Sequence, residues 1–131
     1  MNKYKDLFVV DDDKIYHFIL RNLLNKNNIR LTPSFFENGF DAIEILKQKL
    51  HANEFPDLIL LDINMPIMDG WQFLEEFRKL RENFELTTDI YVVTSSNDNI
   101  DISKARDFEN DIASYFLKPI SQSDINKIFA P

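Results

Sequence analysis

Five short apolar runs set the frame for this chain: Leu7–Val10, Leu31–Phe36, Leu58–Leu61, Ile90–Val93 and Tyr115–Leu117. Their length and their β-branched or aromatic content favour strands, and near-continuous hydrophobicity suits strands covered on both faces. Pro33, inside the second run, cannot donate a ladder hydrogen bond, which pushes that strand toward a sheet edge. Longer amphipathic stretches lie between the runs. Tyr16, Ile19, Leu20, Leu23 and Leu24 repeat at i, i+3, i+4, i+7 and i+8, one apolar face of a helix. Ala42, Ile43, Ile45, Leu46 and Leu50 mark a second helix after Gly39, and Trp71, Phe73, Leu74, Phe77 and Leu80 mark a third. Ile102 to Phe108 reads as a more polar fourth. Ser123 to Phe129 reads as a short fifth with Ser123 as its N-cap. Strands alternating with helices imply parallel β-α units, hence an open α/β sheet with helices on both faces.

The 131 residues fit one domain with one core, and 44% apolar content is enough to pack it. No internal repeat or linker divides the chain. Without cysteine there are no disulfides, thiolate metal sites or cysteine nucleophiles. That composition suits a reducing cytosol, and a cytoplasmic location is expected. The N-terminal apolar run is too short for a signal peptide or a membrane span. Net charge is −7 with scattered basic residues, so direct nucleic-acid binding is not expected.

In open parallel sheets the binding crevice lies at the carboxyl ends of the strands, so the strand endings decide the chemistry. The first run ends in Asp11, Asp12 and Asp13, the third in Asp62, the fourth in Thr94, Ser95 and Ser96, and the fifth in Lys118-Pro119. The second ends in Glu37-Asn38, without an obvious reagent. Carboxylates gathered at one rim repel one another unless a cation intervenes. Mg²⁺ takes oxygen ligands while keeping several waters. A cation, a lysine and a hydroxyl around an exposed carboxylate can stabilise a transferring phosphoryl group, and the carboxylate can itself be the nucleophile.

The order DD, D, T and KP at successive strand ends resembles the response-regulator receiver domain of two-component signalling, and the segment from Asp62 to Gly70, DINMPIMDG, resembles the phosphoacceptor loop of its chemotaxis-type members. The resemblance covers essentially the whole chain, read as a single receiver domain over residues 1–131 without an effector domain. It implies a flavodoxin-like (βα)5 sheet in strand order 2-1-3-4-5. It further implies that Asp62 accepts phosphate from a histidine kinase or phosphotransferase. Asp12 would bind Mg²⁺ directly and Asp11 largely through water, with Asp62 and the carbonyl of Asn64 completing the protein ligands. Lys118 would pair with the phosphoryl oxygens. Thr94 would swing in to bond the phosphoryl group, and Tyr115 would follow it inward as a switch. The bond between Lys118 and Pro119 is expected to be cis. The domain would catalyse its own phosphorylation and dephosphorylation, as a terminal switch or a phosphorelay intermediate, and change its binding to a downstream protein target.

Other positions are read against plainer roles. Asp13 is the bystander of its triplet, free to cap the first helix. His17 and His51 are expected on helix surfaces. Phe18 falls opposite the apolar stripe and faces out; receiver domains dock partners through the first helix, so Ile15 and Phe18 are candidates for that contact. Asn64 and Ser96 occupy the two positions where family members vary and tune phosphate loss, and small Ser95 keeps access open. Asn110-Asp111 replaces a glycine-containing turn before the last strand. Two rival functions fit less well. A haloacid-dehalogenase-type phosphohydrolase needs a general acid two residues after its nucleophile, where Asn64 stands. A non-phosphorylated scaffold has no reason to keep so many charges together. A P-loop is excluded, since neither Gly39 nor Gly70 is followed by lysine.

Overall fold

Each apolar run folds into a strand and each periodic stretch into a helix. The computed structural model describes residues 3–50 and 54–130; the expectation for His51 lies outside the described residues. The elements alternate throughout: β1 (Leu7–Val10), α1 (Lys14–Lys26), β2 (Ser34–Phe36), α2 (Gly39–Lys49), β3 (Leu58–Leu61), α3 (Gly70–Asn83), β4 (Asp89–Thr94), α4 (Asn99–Asp107), β5 (Ser114–Leu117) and α5 (Gln122–Phe129). All strand pairs are parallel and the sheet order is β2-β1-β3-β4-β5, the flavodoxin-like arrangement that the sequence implies. The registers Val10 with Leu61, Leu61 with Val92 and Thr94 with Leu117 bring four strand ends to one rim.

Hydrophobic packing covers both faces. On one, α2 and α3 pack Ala42, Ile43, Leu46, Phe73, Leu74 and Phe77 against Phe8, Val10, Ile59, Leu61 and Val92. On the other, α1 and α5 pack Tyr16, Leu20, Leu24, Ile125 and Ile128 against Leu7, Val9, Leu58, Leu60 and Val93. β1 and β3 are buried along their whole length, which is why their sequences show no polar alternation. No helix among the described residues is long and apolar enough to cross a membrane.

Several boundaries move from where the sequence puts them. β2 keeps only Ser34–Phe36 of the expected run, leaving Pro33 outside the ladder, and it is an edge strand. Ser121, not Ser123, caps α5, because only from that position can a capping box form with Asp124. α4 starts at Asn99 under an Asp98 cap, earlier than Ile102. The turn at Asn110-Asp111 closes without glycine, the Phe108 carbonyl accepting from the N–H groups of both Asp111 and Ile112. Asp13 does cap α1, accepting from the N–H groups of Ile15 and Tyr16.

The chain has two glycines, and both lie under the loop between β3 and α3. A Cβ at Gly70 would stand 2.4 Å from the Asp62 carbonyl oxygen, and one at Gly39 would stand 2.9 Å from the Met68 carbonyl oxygen. Gly70 N–H donates to Ile63 O at 2.8 Å and Gly39 N–H to Met68 O at 3.1 Å. Neither glycine has a positive φ, so close backbone approach is what requires them. They pin the loop that begins at Asp62.

Candidate functional site

Ladder hydrogen bonds run one residue past the strands and fix the first two carboxylates. Asp11 N–H donates to Phe36 O at 2.8 Å and Asp62 N–H to Val10 O at 2.9 Å. Asp62 is buried, and its Oδ1 accepts from Ile63 N–H at 2.7 Å. Asp11, Asp12 and Asp62 each offer an oxygen within 4.8 Å of the others; Asp11 and Asp62 are buried and Asp12 is exposed. Asn64 is exposed two residues beyond Asp62.

Lys118 enters from the end of β5. Its N–H donates to Thr94 O at 2.8 Å, and the following bond to Pro119 is cis, as expected. Its Nζ stands 2.8 Å from Asp11 Oδ2, 3.5 Å from Asp62 Oδ2 and 3.7 Å from Asp13 Oδ2, above the Tyr16 ring. Asp13 is therefore both a cap and a distant member of the charge cluster. Burial opposes the charge on Lys118, but its contact with Asp11 and the charges of Asp62 and Asp13 outweigh this and hold its pKa above the usual lysine value. Burial pushes the Asp11 carboxyl up to about 6, against the pull of Lys118 and with help from the Asp62 charge. The Tyr16 N–H holds Asp13 below the usual carboxylate range.

The donor set fits a hard divalent cation. The three carboxylates outnumber the lysine, and among the described residues buried Asp11 Oδ2 has no aligned hydrogen bond beyond its ion pair with Lys118. The three carboxylates each offer an oxygen, the ligand type a hard divalent ion takes, within 4.8 Å of one another. The buried Tyr16 hydroxyl also lacks a partner among the described residues.

Thr94 is fully buried at the end of β4, and its Oγ1 accepts from Ser96 N–H at 3.3 Å. Tyr115 is half-buried and donates its hydroxyl to Ser96 O at 2.7 Å. Ser96, on the loop after β4, thus links Thr94 at the end of that strand to Tyr115 in β5. Ile15 and Phe18 are 73% and 65% exposed on α1, as expected. Ile67 is more exposed still, at 78% and φ 71°, with Met68 N–H donating to Pro66 O at 2.7 Å to close a γ-turn. A β-branched residue in that region stores about 1–3 kcal/mol of strain.

His17 corrects the sequence reading. It is buried rather than on the helix surface, its ring 4.3 Å from that of Phe35, and Nε2 lies 2.6 Å from the Asp11 carbonyl oxygen. Burial lowers its pKa, so the neutral ring donates Nε2–H to that carbonyl and steadies the backbone of a site carboxylate. The signal was present: His17, Leu20 and Leu24 share a helical face at i, i+3 and i+7. Asp101 is another buried polar group that the sequence does not announce.

Residues 7–130 match the family model of the response regulator receiver domain. The chain is 33% identical over 115 residues, 88% of its length, to the sensor histidine kinase CheAY of Helicobacter pylori, of which it spans 13%. It spans 23% and 19% of two further curated relatives. A two-component response regulator from Cytophaga hutchinsonii is similar in structure, with TM-score 0.82 and 25% identity over 96% of this chain and 94% of that one. The phosphorylated cyanobacterial phytochrome response regulator RcpA is similar with TM-score 0.74 and 25% identity, over 95% of this chain and 88% of that one.

Proposed function

The chain belongs to the response regulator receiver family, and from that premise we propose that it is a phosphorylation-dependent switch with Asp62 as its phosphoacceptor. The single observation that carries the proposal is the convergence of Asp11, Asp12, Asp62 and Lys118 from three strand ends onto one rim, with Thr94 on the strand between. RcpA, a structural relative in phosphorylated form, supports the same reading. The whole chain acts here as one receiver unit.

A carboxylate oxygen of Asp62 attacks the phosphorus of a partner's phosphohistidine. The P–N bond breaks as the P–O bond forms, and the imidazole leaves with its electron pair and takes up a proton. The backbone bonds on either side of Asp62 hold the nucleophile in place, so little reorganisation accompanies attack. Lys118 moves from its ion pairs to the phosphoryl oxygens, and the Thr94 hydroxyl donates to one of them. Receiver domains bind Mg²⁺ through an acidic pocket of this kind; here Asp11, Asp12, Asp62 and the Asn64 carbonyl would hold it, and when bound it would supply positive charge to offset that of the transferring group. Hydrolysis reverses the transfer with water in place of imidazole.

The kinase or phosphotransferase docks over α1 through Ile15 and Phe18, beside the acceptor. The output lies on the far side of Thr94, where Ile102, Ala105, Arg106, Ile112 and Tyr115 line a groove of about 390 Å³ between α4 and β5. Tyr115 both lines that groove and bonds the loop after Thr94, so a change at the acceptor reaches the surface a target reads.

Trp71 opens α3, next to Gly70 under the Asp62 carbonyl, and reports on the site. Beryllofluoride with Mg²⁺ should change its fluorescence saturably in the wild type and not in Asp62→Asn. A change that survives in Asp62→Asn contradicts the assignment.

A further inference from the structure

Asp101 is a buried carboxylate that the phosphoryl chemistry does not use. It lies in the first turn of α4 and is that helix's one buried residue, 9% exposed, whereas its neighbours Ile100 and Ile102 are 69% and 42% exposed. The helix is turned acid-inward and isoleucine-outward. Burying a carboxylate is costly unless it is well bonded, and Asp101 is. Trp71 Nε1–H donates to its Oδ1 at 2.9 Å, and the Ser96 hydroxyl donates to its Oδ2. Trp71 also stacks on Phe108, the C-cap of α4, at 5.6 Å between ring centroids. One indole therefore holds both ends of the helix.

Ser96 is the junction. Its hydroxyl bonds Asp101, its N–H reaches Thr94 Oγ1, and its carbonyl accepts the Tyr115 hydroxyl. Whatever fixes Ser96 fixes the groups on which the Thr94 hydroxyl and the Tyr115 phenol rest.

We propose that Asp101 is a positioning residue of the switch: anchored on Trp71, it fixes Ser96 with its carbonyl bonded to the Tyr115 hydroxyl, and thereby favours the phosphorylated arrangement of Thr94 and Tyr115. The inference rests on the function proposed above and deepens it. Asp101 touches neither phosphate nor metal. It acts through Ser96, and it makes α4 a reporter of the acceptor's state.

The test is beryllofluoride affinity in Mg²⁺ by calorimetry for the wild type, Asp101→Asn, Tyr115→Phe and the double variant. Asp101→Asn keeps the shape and the indole acceptor but removes the charge from the Ser96 bond, which should weaken binding about fivefold. Tyr115→Phe should weaken it by a similar factor. The double variant should be no weaker than the weaker single, because both act through the Ser96 carbonyl. Unchanged affinity in Asp101→Asn alongside a lowered Tm makes Asp101 merely structural and overturns the inference. So do losses that multiply in the double variant. A wild type that binds no beryllofluoride overturns the proposed function itself, and this inference falls with it.

Discussion

α3 and α4 follow successive strands, yet they hold on in opposite ways. α3 buries Trp71, Phe73, Leu74 and Phe77 in the shared core, an apolar wall with many small contacts and no preferred alternative. α4 buries an aspartate and turns Ile100 and Ile102 to solvent. Its inward contacts are two hydrogen bonds at its start and the packing of Ala105 and the Phe108 ring toward its end. A helix held by a few directional bonds can be released or re-aimed when one of them changes. A helix held by packed rings can move only by unfolding part of the core. The molecule thus pairs a wall of packed rings beside the Asp62 loop with a helix held by fewer, more directional contacts.

That contrast can be broken most severely at Phe73. Truncating this fully buried ring to alanine should cost about 3–5 kcal/mol of stability, read by urea denaturation, and a loss below 1 kcal/mol would deny that α3 is the wall. The next effect belongs to the site between the two helices. Asp11 has a folded-state pKa raised to about 6, above the unfolded value, so the folded state binds the extra proton. Its contribution is fully present below the unfolded pKa and is lost as pH rises through 6. Metal-free protein should therefore lose about 2–3 kcal/mol between pH 4 and pH 7 from this group. Asp11→Asn should flatten that slope, and Mg²⁺ should bind more weakly as pH falls below 6. Gly70→Ala tests the seat of α3 under the acceptor loop. Its Cβ would meet the Asp62 carbonyl oxygen, and about 1–3 kcal/mol should be lost with beryllofluoride affinity falling in parallel. Ile100→Ala in α4 sets the lower bound, with stability expected to stay within about 0.5 kcal/mol. Amide exchange sharpens the same contrast, α4 opening at lower free energy than α3.

Most of the fold was legible because its signals are local. Leu7–Val10 and Leu58–Leu61 are strands bounded as their apolar runs are, since full burial leaves no polar residue to blur the ends. The convergence of the candidate site residues was legible because a parallel sheet collects its strand endings, so order along the chain became proximity in space. What escaped reading was polar material inside. His17 and Asp101 look like solvated surface when composition alone is weighed, and only their tertiary partners, the Asp11 carbonyl and the Trp71 indole, make burial tolerable. For both, the helical period was the neglected clue: Asp101, Ala105 and Phe108 share a face just as His17, Leu20 and Leu24 do. Ser121 replaced Ser123 as a cap for a similar reason, because the cap is decided by whether its partner three residues on is Asp124.

The central claim is that Asp62 takes the phosphoryl group. It is tested most directly by incubating the protein with acetyl phosphate and Mg²⁺, reducing the product with borohydride, and locating the modified residue by peptide mass spectrometry. The account predicts one phosphoryl group per chain, dependent on Mg²⁺, with the reduced residue at position 62 and no adduct in Asp62→Asn. An adduct that persists in Asp62→Asn, or that maps to Asp11, Asp12 or a hydroxyl side chain, would contradict it.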